Sequence, residues 1–591
     1  MTLIKNINRE QGLWLLITIL VFLYILIRAI YNPLSHDEIA TYFHYIQSGE
    51  YLPPQKGIIW DANNHLLNSF LTEISYHIFG NSPLALRLPN VIAFCIYVSS
   101  IGLLIKHIRH TQTRILGFIA CLTVGYLVEY FALSRGYALS MAFFVSSLNY
   151  LIKYIKNISN RHLSVVLLTL FLACLANLTL INTYGLIVLL VLCIYLLKVR
   201  EHALKKSIGF FSLLFLSLCV MLYPIYYSFQ LKASGALYYG SKEGLWKVTG
   251  ETLTQQVFGN HSVLFGIFYG LILVSAIVLI FNKGFKRELV IGSPLFITTY
   301  LILGNLISIY FLVYFLDVNF PEDRAAFYFI PLFLFLLVLV IDRIPKLSLL
   351  RFGLLFFPIY FVTQINIQGS IFSADERVSE TLHQTIIKDN LEFPTIGAYQ
   401  THILCYNYLE QRSNRLSNFA QPYKENDTLQ DYLINKLALV DSSKIVPLYS
   451  LVYHQKETDV VLFKRKDRVQ FNEVKTVGFP DTTYNWEYLN LIEDTLDNAK
   501  AIKINIQTIL QSEKNYFKGN IVFSGRDSLN NEIEYQYINL DWLYGNSSRE
   551  KVINQNFVVN TENIHHYVLY LWNIDQKTYS LNNSSIQLFY D

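Results

Sequence analysis

The chain has 591 residues, 53% hydrophobic and only 15% charged, and its 47 Lys and Arg against 43 Asp and Glu leave a net charge of +4. That apolar share excludes an ordinary polar soluble protein, and the absence of a basic stripe leaves nucleic-acid binding without an electrostatic footprint. Five cysteines (Cys95, Cys121, Cys174, Cys193, Cys219) lie in apolar runs and Cys405 stands alone in the polar tail, a spacing that supports neither a disulfide framework nor a CxxC metal knuckle.

A helix needs about 20 apolar residues to cross a bilayer, because no water is present there to satisfy open backbone groups. The first such run, Leu13 to Ile30, follows basic residues and has no small-residue cleavage site after it, so it reads as a retained span. Along the chain, spans are expected near 12–30, 88–105, 115–131, 134–152, 163–180, 184–199, 207–227, 262–282, 289–316, 325–342 and 347–364. Lys and Arg should collect at the cytoplasmic ends, and they alternate as that count of about eleven requires. One set of loops holds Lys106, Arg109, Arg114, Lys153, Lys156, Arg161, Lys283 and Arg287, whereas the other set holds Asp37, Glu38, Asp61, Glu73, Glu243, Glu251, Asp317, Glu322 and Asp323. The N-terminus is therefore expected in the cytoplasm and the tail outside.

Loop one, residues 31–87, carries a capping box. Ser35 stands as N-cap with Glu38 three residues on, then apolar Ile39, Phe43 and Ile46, and a Gly49 stop. A second surface helix is expected from His65 to Phe79, stopped by Gly80. Beyond about 366 the pattern changes. Strand-like runs at 437-LALVD-441 and 459-DVVLF-463 mix with helical stretches, and past about 470 residues alternate, as in Ile502/Ile504/Ile506, Ile533/Tyr535/Tyr537 and Ile586/Leu588/Tyr590. The expected organisation is an α-helical polytopic membrane domain (1–365), an extracytoplasmic soluble α/β subdomain (366–468) and a C-terminal β-sandwich (469–591).

The acidic pair Asp37-Glu38 is the first candidate for chemistry. A helix N-terminus favours an ionised carboxylate, which can take a proton from a hydroxyl. Glu38 is also explained by the capping box and Asp37 by a solvated first turn. Arg135 could be an interface anchor, Arg324 an exposed ion-pair partner of Glu322 or Asp323, and Arg87 a snorkelling or packing residue. Trp542 and Trp572 could stack on sugar rings but in a sandwich serve more often as core.

An acidic pair after span one, then 60-WDANNH-65, 84-LALRLPN-90 entering span two, 134-SRGYAL-139 and 321-PEDRAAFYFIP-331, in that order, resembles the C-type glycosyltransferases, in particular the protein O-mannosyltransferases and the lipid A aminoarabinose transferase group. The resemblance covers roughly residues 10–365. It implies transfer of a sugar from a polyprenyl-phosphate-linked donor to an acceptor outside the membrane, with inversion, and a glycan, lipid or protein as acceptor. By the same resemblance Asp37 matches the catalytic acidic position, the base near the acceptor hydroxyl, with Glu38 as helper. Arg324, Arg135 and Lys56 are candidates for the donor phosphate. Asp61, Asn64 and His65 would line a sugar site, although Asn63-Asn64-His65 stands where relatives often have His-Pro-Pro. Asp61, His65 and His36 could gather a divalent metal, although no tight ligand spacing supports one. Two other readings compete: a polysaccharide polymerase or ligase, and a transporter or flippase of lipid-linked sugars. The Asn-, Lys-, Ile- and Tyr-rich tail suggests a bacterium, which would place the chain in the inner membrane with its tail in the periplasm.

Overall fold

In the computed structural model, residues 9–53, 60–197, 204–259, 262–281, 292–367, 369–370, 377–391, 393–413, 419–422, 428–496, 500–513, 516–543 and 549–591 are described. The chain divides into two compact units. One comprises residues 1–31, 60–78 and 84–367; the other comprises 32–59, 79–83 and 368–591. Residues 32–59, which hold the acidic pair, thus sort with the C-terminal portion and not with the helices that flank them in sequence.

The first unit is helical. Among the described residues, six helices are long and apolar enough to cross a bilayer: Arg9–Tyr31, Pro83–Ile105, Gly136–Lys156, Leu178–Leu197, Ser207–Ala233 and Pro294–Phe315. Shorter apolar helices lie at Asn160–Ala176, Gly266–Phe281 and Leu349–Thr363. Large apolar side chains point away from the protein along several of them, such as Leu16, Leu20, Leu23 and Ile27, or Ile267, Leu271, Val274 and Val278. That spacing is a helix face with no protein against it, the face a multi-pass membrane protein gives to lipid. The Gly136–Lys156 helix is the opposite case, most of it buried among its neighbours.

Two expected spans are interrupted. The 115–131 run forms two helices, Thr111–Leu122 and Gly125–Tyr130, with extended backbone at Val124. A Cβ on Gly125 would lie 2.2 Å from Gln364 Oε1, so the break brings the backbone close to the last helical segment. The 347–364 run is a tighter 3-10 stretch, Pro345–Leu355, leading into the helix Phe356–Thr363.

The second unit combines the first loop with the tail. His36–Thr41 is a helix running on into a π turn, Tyr42–Ile46. Its start is the expected capping box. Glu38 Oε2 accepts from the Ser35 backbone N at 2.9 Å and from Ser35 Oγ at 3.2 Å. Chain reversal follows at Gly49, where φ is +69°, a conformation glycine adopts at little cost.

Strands then follow in chain order: β1 (Ile396–Ala398), β2 (Gln421–Pro422), β3 (Tyr432–Lys436), β4 (Tyr449–Gln455) and β5 (Val460–Arg465). They form one mixed sheet in the order β2-β1-β3-β5-β4, parallel on the β1 side and antiparallel on the β5 side. The helix Gln400–Arg412 follows β1. The run 437–441 is not a strand. Leu437–Leu439 makes a 3-10 turn, and Asp441 caps the next helix, Ser442–Leu448, by accepting from Ser443 N at 3.0 Å.

Beyond these lie β6 (Asn472–Phe479), β7 (Thr482–Tyr484), β8 (Tyr488–Thr495), β9 (Ala501–Ser512), β10 (Gly519–Arg526), β11 (Glu532–Asn539), β12 (Glu550–Asn560), β13 (His566–Asn573) and β14 (Tyr579–Tyr590). They make two antiparallel sheets, β11-β10-β13-β8 and β12-β9-β14-β6. Both sheets turn alternate residues, Ile502, Ile504 and Ile506 from one and Ile521, Phe523, Leu569 and Leu571 from the other, into one apolar core. Strand β11 presents Ile533, Tyr535 and Tyr537 outward while Ile538 enters the core.

Candidate functional site

In the helical unit, segments distant in sequence meet at residues 60–65. Asp61 shapes the turn, its Oδ1 accepting from Asn63 N at 2.9 Å and its carbonyl accepting from Tyr227 Oη at 3.0 Å. Trp60 packs edge-on against Tyr226 and Tyr227. Asn64 Oδ1 accepts from Ser69 Oγ at 2.8 Å, one turn into the Leu66–Phe79 helix. His65 is buried, with Nδ1 2.9 Å from the Ala176 carbonyl and its ring edge-on to Tyr137 at 4.7 Å.

The Ser134-Arg135-Gly136-Tyr137 turn completes this cluster. Arg135 is buried at the N-cap of the Gly136–Lys156 helix, donates from Nη1 to Asn63 Oδ1, and stacks over the Tyr137 ring at 5.8 Å. Such burial strengthens whatever charge interaction the guanidinium makes, because less water screens it. Position 136 admits only glycine. A Cβ there would lie 1.9 Å from the Ala176 carbonyl oxygen and 2.8 Å from His65 Cβ.

Behind it runs a polar chain that sequence reasoning passed over. Asn90 donates to Asn68 Oδ1 at 2.7 Å, Asn68 donates to the Ser134 carbonyl at 3.3 Å, and the Thr72 and Ser134 hydroxyls lie 3.4 Å apart. All four side chains are buried, so these bonds pin the turn to the two helices beneath it. A partial signal was present: Asn68, Ser69, Thr72 and Ser75 make one polar face of the Leu66–Phe79 helix, and it is this face that is buried while Phe70, Ile74 and Ile78 are exposed.

Arg324 occupies a neighbouring aromatic setting. Its guanidinium lies over the Tyr239 ring at 5.2 Å. Three residues on, Phe327 packs edge-on with Tyr130 at 4.8 Å and with Tyr137 at 6.1 Å, and Tyr130 meets Tyr137 at 5.0 Å. The ring under Arg135, Tyr137, thus belongs to a cluster that includes Phe327 of the segment bearing Arg324. Asp323, beside Arg324, has a second partner in this turn. Asp323 takes a positive φ of 47° and its carboxylate accepts from Tyr126. Burial is the main cause that raises its pKa above the ordinary carboxylate value, and pushes the Tyr239 hydroxyl up to about 12.

Arg87 does not snorkel. It is fully buried, and Nη1 reaches the Arg28 and Ala29 carbonyls at 3.4 and 3.3 Å, at the C-terminal end of the first helix where a cation is favoured. Arg28 itself pairs with buried Glu129 at 3.0 Å, a contact between apolar segments that sequence reading also missed. A charge inside an apolar run was the available signal.

In the second unit, Glu38 is buried and committed to the capping box, whereas Asp37, next to it, is half-buried. His36 Nδ1 lies 3.1 Å from the Thr401 carbonyl. Lys56 falls outside the described residues. Among the described residues no group of three or more His, Cys, Asp or Glu is placed to hold a metal ion. Trp542 and Trp572 both pack on other rings, Trp542 on Phe43 at 5.1 Å and Trp572 on Tyr488 at 6.0 Å.

No family model matches the chain, and no curated protein matches it. Solved structures do show similarity to it. ArnT from Cupriavidus metallidurans bound to undecaprenyl phosphate superposes with a TM-score of 0.37 and 10% identity over 76% of this chain and 97% of that one. The Archaeoglobus fulgidus oligosaccharyltransferase AglB, in complex with an inhibitory peptide and a dolichol-phosphate, gives 0.42 and 9% over 92% and 94%. The arabinosyltransferase EmbB from Mycobacterium smegmatis gives 0.34 and 8% over 97% and 64%. These neighbours are C-type glycosyltransferases. Scores of this size describe a loose likeness, and the functional reading rests on the residues.

Proposed function

We propose that this chain is a membrane glycosyltransferase that moves a sugar from a polyprenyl-phosphate carrier to an acceptor hydroxyl on the extracytoplasmic side, with inversion. Asp37 takes the proton of the acceptor hydroxyl as its oxygen bonds to the anomeric carbon. On the opposite face the bond from that carbon to the phosphate oxygen breaks, and polyprenyl phosphate leaves carrying the electron pair. Arg135 and Arg324 hold the phosphate and balance the charge it gains. Asp61, Asn64 and His65 shape the sugar side. Glu38 acts indirectly, by fixing the helix start that presents Asp37. The tail is an extracytoplasmic soluble α/β part followed by a β-sandwich.

The observation that carries this reading is the meeting of two motif segments that the chain separates by about 70 residues. Arg135 is buried, cationic and held at a defined angle by Asn63 and Tyr137, beside His65. A mere interface anchor is under no pressure to be buried and oriented in this way, whereas an anion-binding group is. The test is native mass spectrometry of the purified chain in lipid nanodiscs with added polyprenyl phosphate. The expected outcome is retention of the carrier by the native chain and by Asp37→Asn, and clear loss in Arg135→Ala and Arg324→Ala. Equal retention by all four chains contradicts the assignment of the two arginines.

A further inference from the structure

The helix bearing Asp37 and Glu38 is fastened, side chain by side chain, to elements of the tail within its own unit. Before it, buried Arg377 donates from Nη1 to Asn32 Oδ1 at 2.6 Å and to the Pro33 carbonyl at 2.5 Å, and Asn32 Nδ2 donates to the Gly369 carbonyl at 3.1 Å. Within the helix and its π turn, Glu38, Ile39, Tyr42, Phe43 and Ile46 are all buried. Rotating the helix would expose that apolar face.

One amide organises the attachment. Gln411, buried in the Gln400–Arg412 helix, accepts from Tyr42 Oη at 2.9 Å and donates from Nε2 to Gln47 Oε1 at 3.2 Å and to the Trp542 carbonyl. Its acceptor and both its donors are thereby used, a set that neither Glu nor Leu can reproduce. Gln47 donates onward to the Asp541 carbonyl, Phe43 stacks on Trp542 with an interplanar angle of 26°, and Lys518 Nζ lies 3.7 Å from Glu50. The partners of this short helix and its flanks thus include residues 369, 377, 401, 411, 518, 541 and 542.

We propose that Gln411 and Trp542 are positioning residues for Asp37: within their shared unit, the tail fixes the orientation of the acidic helix. This rests on the reading of Asp37 as the base, but its geometry is testable apart from any transfer assay.

The experiment measures hydrogen exchange and sugar transfer on the full chain in lipid nanodiscs or native membranes. Gln411→Leu, of similar volume, is expected to speed exchange of amides 39–47 by about tenfold or more while strand 501–512 keeps its protection. Transfer should fall in kcat with the donor KM unchanged, because the donor phosphate is held by other residues. Should Gln411→Leu also loosen strand 501–512, Tyr42→Phe decides, since it removes one hydroxyl and leaves the packing. Unchanged exchange at 39–47 in both variants overturns the positioning role. Wild-type transfer by Asp37→Asn instead overturns the reading of the base, and leaves the exchange result to judge the attachment by itself.

Discussion

A lysine at position 135 would keep the charge and lose the fork. Arg135→Lys cannot maintain the bond to Asn63 while lying flat over Tyr137, so carrier binding should weaken and transfer drop by about tenfold or more, with normal membrane insertion. Membrane fractionation and transfer assays check it. At the next residue the argument is steric. Gly136→Ala places a methyl group against the Ala176 carbonyl and His65, which should cost about 1–3 kcal/mol and lower the thermal unfolding midpoint. The helix start that carries Asp37 was legible from sequence because Ser35 with Glu38 three residues on has a local signature. Glu38 was left between two roles, and the structure shows it in the cap. The pairing of Asn68, Asn90 and Ser134 was illegible, because only the packing of separate helices makes them partners.

At the scale of elements, the acidic helix depends on its cap. Glu38→Ala should cost about 1 kcal/mol and speed exchange of the first-turn amides, while Glu38→Gln, which retains an acceptor for Ser35, should lose much less. The short Leu540–Leu543 helix that receives Gln47 and Gln411 carries a titration of its own. Burial pushes the Asp541 carboxyl up to about 7. The folded chain then binds a proton between about pH 4 and 7 that the unfolded chain does not, so this group lowers stability as pH rises through that window. Wild type should unfold at a higher temperature at pH 5 than at pH 8, and Asp541→Asn should lessen that difference. Strand β5 and the inward alternation of β9 were readable by their period. The 437–441 run was misread because an apolar stretch ending in a capping Asp has the composition of a strand, and only the Asp441 bond to Ser443 reveals a helix start. The interruption at 123–125 escaped notice because hydropathy averages over it, whereas the close approach of Gln364 to Gly125 is tertiary.

For the molecule as a whole, outward apolar rows and, among the described residues, six long apolar helices agree with a multi-pass membrane protein. What no periodicity could show is which compact unit residues 32–59 join. Sequence order places them between two spans, but Tyr42, Phe43 and Gln47 find their partners at Gln411, Trp542 and Asp541, hundreds of residues away. Residues 32–59 are therefore tied to the tail, and the proposed role of Asp37 predicts that truncation after residue 367 abolishes transfer even where the helices still insert. Immunoblotting of membranes together with a transfer assay checks that.

The central claim, that Asp37 drives transfer of a sugar outside the membrane, meets its most direct test in intact-mass analysis. Surface glycolipids and glycoproteins would be compared from cells making the native chain and cells making Asp37→Asn at equal membrane level. The account predicts that one sugar residue is missing from a defined species in the variant and returns with the native chain. Identical spectra from the two strains, with a sugar that disappears only when the chain is deleted, would contradict it.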